Sequence, residues 1–254
     1  MIEKKLSKYN GYISGLVTKW KAQIALSDAS IQRILEEIHI FSSREIRSLL
    51  RTIVDKKRNI FDKNDCYICK FGYVGKSGEI LMYEFFHTFR EYRRKIKELW
   101  KLPELPESSR VIFIDDLVGS GNQSVKYIKT RLNTLLNPSH KAYLLCLCAT
   151  PQGIKNVKEN TNISVLPALI LKERDFQYFS ECCKVFDDHA KHYLKELNEK
   201  LHSDAGGYGN LGLLLAFYFT VPNNTLPFIW KDGAEYENSD GVRKKWQALL
   251  PREY

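Results

Sequence analysis

The chain is short of the features that would assign it quickly. It has no apolar run approaching the roughly 18 residues that a membrane-spanning helix needs. The best candidate, the segment Leu211 to Val221, is too short, so no membrane partner is expected. The opening residues, MIEKKLSKYNGY, are polar and lack the apolar core of a secretory signal, and the chain is read as cytoplasmic. There are no internal repeats and no low-complexity segment. Cysteine is sparse and unpatterned, with six residues that fit a reducing compartment. Cys66 and Cys69 have CxxC spacing, but CYICKFG reads as a strand, where side chains three apart face opposite ways. Cys146 and Cys148 share one face of the apolar run AYLLCLCAT. All four are read as core residues rather than metal ligands.

What the chain does have is length and positive charge. Its 254 residues, 44% hydrophobic and 27% charged, suffice for a full core. The formal net charge of +9 admits contact with nucleic acid or phosphorylated small molecules. Because Lys and Arg are spread along the sequence, a merely solvated basic surface is the competing reading.

The first sixty residues have helical periodicity: Leu6, Tyr9, Ile13, Leu16 and Trp20, then Ile31, Ile34, Leu35 and Ile38. Ser42 and Glu45 form a capping-box pattern ahead of Ile46, Leu49, Leu50, Ile53 and Val54. Residues 1–62 are therefore expected to be a helical N-terminal cap, with a helix-turn-helix around Phe41-Ser42-Ser43 as the alternative. From residue 63 to 254 the pattern alternates. CYICKFGYV predicts a strand and Leu81 to Leu99 a long helix, followed by a proline-rich linker, Leu102 to Ser109. Next come strand 110–114, loop 117–122, helix 123–136, strand 142–149, a helix after Pro151 and strand 163–170. Leu211 to Tyr218 is a further strand candidate. This alternation predicts an α/β fold, a mostly parallel sheet with helices on both faces and a helical N-terminal segment.

The chemistry concentrates in VIFIDDLVGSGNQ, residues 111–123. In a parallel sheet, ligands sit at the carboxyl ends of strands, and Asp115 and Asp116 stand at such an end. Gly119 and Gly121 allow the following loop to turn its N–H groups inward, and Ser120 adds a hydroxyl. With the helix start near Gln123, these residues form a candidate phosphate site. Phosphate beside two carboxylates is repulsive unless the ligand separates them or Mg²⁺ intervenes. A phosphorylated sugar does the first, because its hydroxyls can donate to Asp115 and Asp116.

That stretch resembles the phosphoribosyl-diphosphate motif of type I phosphoribosyltransferases: four hydrophobic residues, two acids, two hydrophobics and a Thr/Gly/Ser loop. The resemblance implies a ribose 5-phosphate cradle formed by Val118, Gly119, Ser120, Gly121, Asn122 and Gln123. Asp115 and Asp116 would lie on the ribose hydroxyls and would hold Mg²⁺. The family usually has threonines where Gly119 and Gln123 stand, and Gln123 puts a longer amide in place of a phosphate-binding hydroxyl. An earlier stretch, FGYVGKSGEI, has the order and distance of the family's diphosphate loop, implying roles for Gly75, Lys76, Ser77 and Gly78. It is also a near miss for a nucleotide-binding P-loop, failing because Lys70 stands at the first glycine position. A narrower resemblance, on the helical N-terminal segment, DDLVGSGNQ and LLLAFYFTVPNNTLPFIW, is to phosphoribosyltransferase-like proteins of bacterial anti-phage and retron-associated conflict systems. It implies a defence-system protein partner.

Two functions follow as expectations. One is an Mg-dependent phosphoribosyltransferase, with phosphoribosyl diphosphate as ligand, Asp115, Asp116 and Lys76 as catalytic residues, and diphosphate lost from ribose C1. The other is a non-catalytic sensor of a ribose phosphate or nucleotide that regulates a partner or binds nucleic acid. Three outlying groups have both functional and plain readings: Asn223, Asn224 and Thr225 as a ligand loop or a turn; Asp188, His189 and His192 as metal ligands or an exposed helix face; Lys172, Glu173 and Arg174 as anion contacts or loop charges.

Overall fold

A computed structural model describes residues 2–73, 77–238 and 241–252. The chain divides into two compact units, Ser43–Leu171 and the combination of Met1–Ser42 with Lys172–Tyr254.

The Ser43–Leu171 unit is built on a parallel sheet. Its strands are β1 (Cys66–Lys70), β2 (Arg110–Val118), β3 (Lys141–Ala149) and β4 (Ser164–Ile170), side by side in that order. Ile114 of β2 stands between Lys70 of β1 and Leu145 of β3. The two central strands are nearly continuous apolar runs, as expected of strands covered on both faces. Helices α1 (Ser43–Lys56) and α2 (Ser77–Thr88) pack together, α1 against β4 and α2 against β2. The other face is covered by α3 (Asn122–Tyr127), which continues as a π turn over Ile128–Leu132, and by α4 (Pro151–Asn160). Tyr127, Ile128, Leu132 and Val157 share a core with Val111, Phe113, Leu144 and Cys146. The expected α/β architecture, with a mostly parallel sheet and helices on both faces, is the one observed. Cys66, Cys69, Cys146 and Cys148 are all buried free thiols.

Several boundaries differ from expectation: the first strand ends at Lys70, and the helix expected over 123–136 ends with the π turn at Leu132. The long helix expected over Leu81 to Leu99 ends at Thr88 and gives way to 3-10 turns at Arg90–Lys95 and Leu99–Glu104. Tertiary contacts override the helical period there. Phe85, Phe89 and Tyr92 cluster with one another, Phe61 stacks on Phe85 and Tyr92, and Lys95 Nζ donates to the carbonyls of Phe61 and Lys63. Between the two turns the Lys97 N–H donates to Ile68 O at 2.9 Å along the edge of β1. Strand β2 is longer than the expected 110–114, because Leu117 and Val118 pair with Cys148 and Ala149 of β3.

The second unit joins both ends of the sequence. Short helices Ile2–Leu6, Leu16–Lys21 and Asp28–Glu37 precede strand His39–Phe41, which pairs in parallel with Leu215–Phe217. Its core unites Ile34, Leu35 and Ile38 with Leu194, Leu197 and Phe228. Trp20 and Trp246 both donate their indole N–H to Phe228 O, at 3.1 and 3.0 Å. Buried Asn198 accepts from Phe228 N at 2.7 Å. A cap over residues 1–62 therefore does not coincide with either unit. Residues 1–42 find their apolar partners in the C-terminal third, while α1 and Arg58–Phe61 fold with the sheet. Strand His39–Phe41 also replaces the tight turn that a helix-turn-helix needs. Of the strand expected over Leu211 to Tyr218, Leu215–Phe217 is observed.

The one buried acid of α2 is Glu84, only 2% exposed among the described residues of that helix. It accepts from Ser43 Oγ at 2.8 Å and pairs with Arg47 Nε at 2.6 Å, pinning α1 to α2. Arg47→Met leaves that carboxylate buried without its cation. Urea unfolding should show a loss of about 1.5–3 kcal/mol, at the lower end because Arg47 is half-exposed.

Candidate functional site

Strand β2 carries its two acids to a position where burial and mutual repulsion dominate. Asp116 is buried and Asp115 partly so. Neighbours in a strand normally point to opposite faces, yet the charge of one acid still bears on the other. Burial, and then the charge of Asp116, holds the Asp115 carboxyl well above the usual range for aspartate. Asp116 is also raised by burial, opposed by hydrogen bonds from the Ser77 hydroxyl and from backbone N–H groups. Leu117 N–H donates to Asp116 Oδ1 at 2.7 Å, and Asp116 N–H to Asp115 Oδ1 at 3.0 Å.

The loop after β2 is held by its carbonyls. Thr150, at the N-cap of α4, donates its hydroxyl to Gly119 O at 2.7 Å. Asn156 Nδ2 donates to Ser120 O at 2.8 Å and to Asn122 Oδ1 at 2.7 Å. Gly121 O accepts from Val125 N at 2.8 Å as α3 begins. With the carbonyls so directed, the N–H groups of Gly119, Ser120 and Gly121 have no acceptor among the described residues. Buried donors in that state are rare in folded proteins unless a ligand or water takes them. Two glycines make this geometry accessible. Gly121 caps α3 at φ 78°, in the left-handed region. A Cβ on Gly153 would lie 2.1 Å from Gly119 O, so α4 can approach the loop only with glycine there.

The earlier loop reaches the same place from α2. Ser77 opens that helix and bonds Asp116. Gly78 lies against the backbone, where a Cβ would be 2.3 Å from Phe71 O and 3.5 Å from Ile114 O. Tyr127 of α3 donates to Gly72 O at 3.0 Å, tying the two loops together through a side chain. Lys70, at the end of β1, is paired with Glu79 at 2.6 Å.

Of the residues singled out in the sequence, Ser77, Gly78, Asp115, Asp116, Val118, Gly119, Ser120 and Gly121 gather around the end of β2, all within one unit. Asn122 and Gln123 begin α3 with exposed side chains, and Asn122 is engaged by Asn156. Gly75 and Lys76 lie outside the described residues. Thr150, Gly153 and Asn156 were missed, although a glycine in the first turn of a helix after Thr-Pro signals close backbone approach. The outlying candidates lie in the other unit and have structural partners. Asn224 donates to Tyr208 O at 2.6 Å and Thr225 to Leu215 O at 2.6 Å, which makes that segment an internal turn. His192 pairs with Glu196 at 3.2 Å on an exposed helix face, and Glu173 accepts from Ser180. No group of three or more metal-ligating side chains occurs among the described residues.

Two outcomes follow. Because the folded acids hold protons at a pH where the unfolded chain has lost them, their contribution is fully present below about pH 3.9 and is lost as pH rises through the folded values. Asp115→Asn should therefore melt higher than the parent protein at pH 7, with the difference shrinking as pH falls toward 4 in thermal scans. Gly153→Ala should cost roughly 1–3 kcal/mol through overpacking against the loop, read by the urea midpoint.

No curated protein matches the chain in sequence. Among solved structures it is similar to orotate phosphoribosyltransferase from Aeropyrum pernix, at 11% identity over 51% of this chain and 72% of that one, with a TM-score of 0.36. It is similar to the Helicobacter pylori xanthine-guanine-hypoxanthine phosphoribosyltransferase, at 16% identity over 54% and 92%, with a TM-score of 0.35. The Leishmania tarentolae HGPRT-ase in complex with GMP gives 12% identity over 52% and 80%, with a TM-score of 0.35. The family model PRTase-CE matches residues 17–252, nearly the whole sequence, and the chain belongs to that family.

Proposed function

We propose that the cleft at the end of β2 binds a phosphorylated ribose, with phosphoribosyl diphosphate or a related nucleotide as its ligand. The observation that carries this reading is the set of acceptor-free N–H groups at Gly119, Ser120 and Gly121 beside the two adjacent acids Asp115 and Asp116. A 5-phosphate accepts from that loop, and the ribose hydroxyls donate to Asp115 and Asp116. One ligand thus satisfies both halves of a site that would repel a bare phosphate. Ser77 and Gly78, with Gly75 and Lys76, form the complementary diphosphate loop, as the motif FGYVGKSGEI implies.

Two neighbouring carboxylates fit Mg²⁺, which is commonly held by one or two carboxylates plus substrate oxygens rather than an all-protein cage. When bound, the ion would neutralise the acids and the departing diphosphate. The chain's own residues then position C1 of the ribose. The C1–O bond to diphosphate breaks with its electron pair leaving on the diphosphate oxygen, and N–H groups and Lys76 receive that charge. A nitrogen nucleophile or water adds to C1, and its proton passes to Asp115 or Asp116. The second reading, a sensor that binds without turnover, is favoured by Gln123, whose exposed amide stands where the family has a phosphate-binding hydroxyl. A role in bacterial anti-phage defence with a protein partner belongs to the same proposal and rests on the resemblance to conflict-system proteins.

Incubation with phosphoribosyl diphosphate and Mg²⁺, with and without a panel of bases, separates the readings. Diphosphate release that is at least a hundredfold slower in Asp115→Asn/Asp116→Asn supports the transferase. Saturable Mg-dependent binding without release supports the sensor. Absence of binding by calorimetry overturns both.

A further inference from the structure

We infer that the Tyr83–Trp100 face of the sheet unit is a binding surface for single-stranded nucleic acid, separate from the ribose-phosphate cleft. Three observations converge on it. The first is unbalanced charge. Arg90, Arg93, Arg94 and Lys97 follow one another through the 3-10 turn and the β1 edge, and among the described residues none forms an ion pair. The neighbouring cation Lys95 is instead consumed internally by the carbonyls of Phe61 and Lys63. Residues 90–98 hold Arg90, Arg93, Arg94, Lys95 and Lys97 against Glu91 and Glu98, so the stretch keeps a net positive charge. At roughly 2 Å per residue of 3-10 helix, Arg90 and Arg93 share one face about 6 Å apart along the axis, and Arg94 stands a third of a turn round from them.

The second observation is exposed aromatic surface interleaved with that charge. Trp100 is 64% exposed and Tyr83 58%, although large aromatics usually bury most of their area. Lys101 sits 4.2 Å over the Trp100 ring, and Arg93 lies 4.1 Å over Phe86. Flat cationic and aromatic faces in alternation are what stacked bases and their phosphates require.

The third is a groove. Met82, Tyr83, Phe86 and Ile96 form its apolar part, with Lys70, Glu79, Lys97 and Glu98 also lining it, and its volume is about 270 Å³. Its Lys70–Glu79 pair is self-neutralising and Glu98 offsets Lys97 in the lining, so the unbalanced charge comes from Arg93, which lies over Phe86, and its neighbours Arg90 and Arg94. An aromatic-floored groove with cations along one side seats an unstacked base while its backbone runs along the arginine row. A duplex hides its base faces from such a floor.

The test uses the full chain and fluorescein-labelled twenty-nucleotide oligo(U) and oligo(dT), with a duplex of equal length. Fluorescence anisotropy should show saturable binding of the single strands, with the slope of log affinity against log salt near −2 to −3, from about 0.7 per phosphate contact. Which of the two strands binds more tightly identifies the sugar. Arg90→Ala/Arg94→Ala should weaken binding at least tenfold and flatten the salt slope. Tyr83→Ala should weaken it several-fold and leave the slope unchanged, which a purely electrostatic contact would not do. Both variants alter exposed side chains and should keep the parent circular dichroism spectrum and melting temperature. Asp115→Asn/Asp116→Asn should bind strands like the parent, so failure of the ribose-phosphate reading and failure of this one are distinguishable. Equal binding of duplex and single strand, binding unchanged by both variants, preference for phosphatidylserine vesicles or polyglutamate, or no binding at 50 mM salt would each overturn the inference.

Discussion

The site depends on a contact between two pieces of backbone. Gly153, in the first turn of α4, comes so close to Gly119 that no side chain fits between them. This approach lets Thr150 and Asn156 take the carbonyls of Gly119 and Ser120, and a peptide plane whose carbonyl is fixed has its N–H direction fixed as well. The donors of the loop are thus aimed before any ligand arrives, which lowers the ordering cost of binding. Residues that never touch a ligand set the geometry of those that would. β2 and β3 remain paired up to the loop itself, through Val118 and Ala149, so the loop starts from a rigid edge.

The same strand imposes an electrostatic cost. Extending β2 through Asp115 and Asp116 keeps the acids partly dehydrated, with apolar neighbours such as Cys146 and Cys148 on the next strand. Burial raises both carboxyls above the usual aspartate range, which disfavours their charged forms in the fold. A sequence under pressure for stability alone has no use for this arrangement. Groups that donated hydrogen bonds to these acids, or a cation beside them, would offset that cost. Ser77 shows how the two loops are joined electrostatically: its hydroxyl supports the Asp116 carboxylate, so a change at the start of α2 is felt at the end of β2.

Much of this was legible in the sequence where local pattern and global fold agree. The runs VIFI and LLCLC predicted buried strands because parallel strands have no solvent face to alternate against. The acids and glycines of residues 115–121 marked the candidate site, and the fold brings them together with Ser77 and Gly78 at the end of β2. Legibility failed where long-range packing chose among local options. The segment after Thr88 has helical periodicity, but Phe89 and Tyr92 are more useful in the aromatic cluster with Phe61 than in a continued helix. The N-terminal helices read as an independent cap, because nothing local reveals that Ile34 and Leu35 will meet Leu194 and Phe228, more than 150 residues away. Asn156 was invisible for a similar reason. It looks like an ordinary polar residue on a helix until the fold brings it to Ser120.

The order of segments adds a last constraint. Residues 43–171 form a closed unit inside a chain whose two ends fold with each other, so every described residue of the cleft comes from one continuous segment. The geometry of the described site residues is then set within that unit by the sheet, α2 and α4, through close backbone contacts at Gly78 and Gly153. Loops so placed can vary in side chain without losing position, because the hydrogen bonds that hold them are made by carbonyls. Gln123 is an instance: its exposed side chain can vary while Gly121 and Asn156 keep the loop where it is. Chemistry at such a site can diverge, from transfer to sensing, on an unchanged backbone.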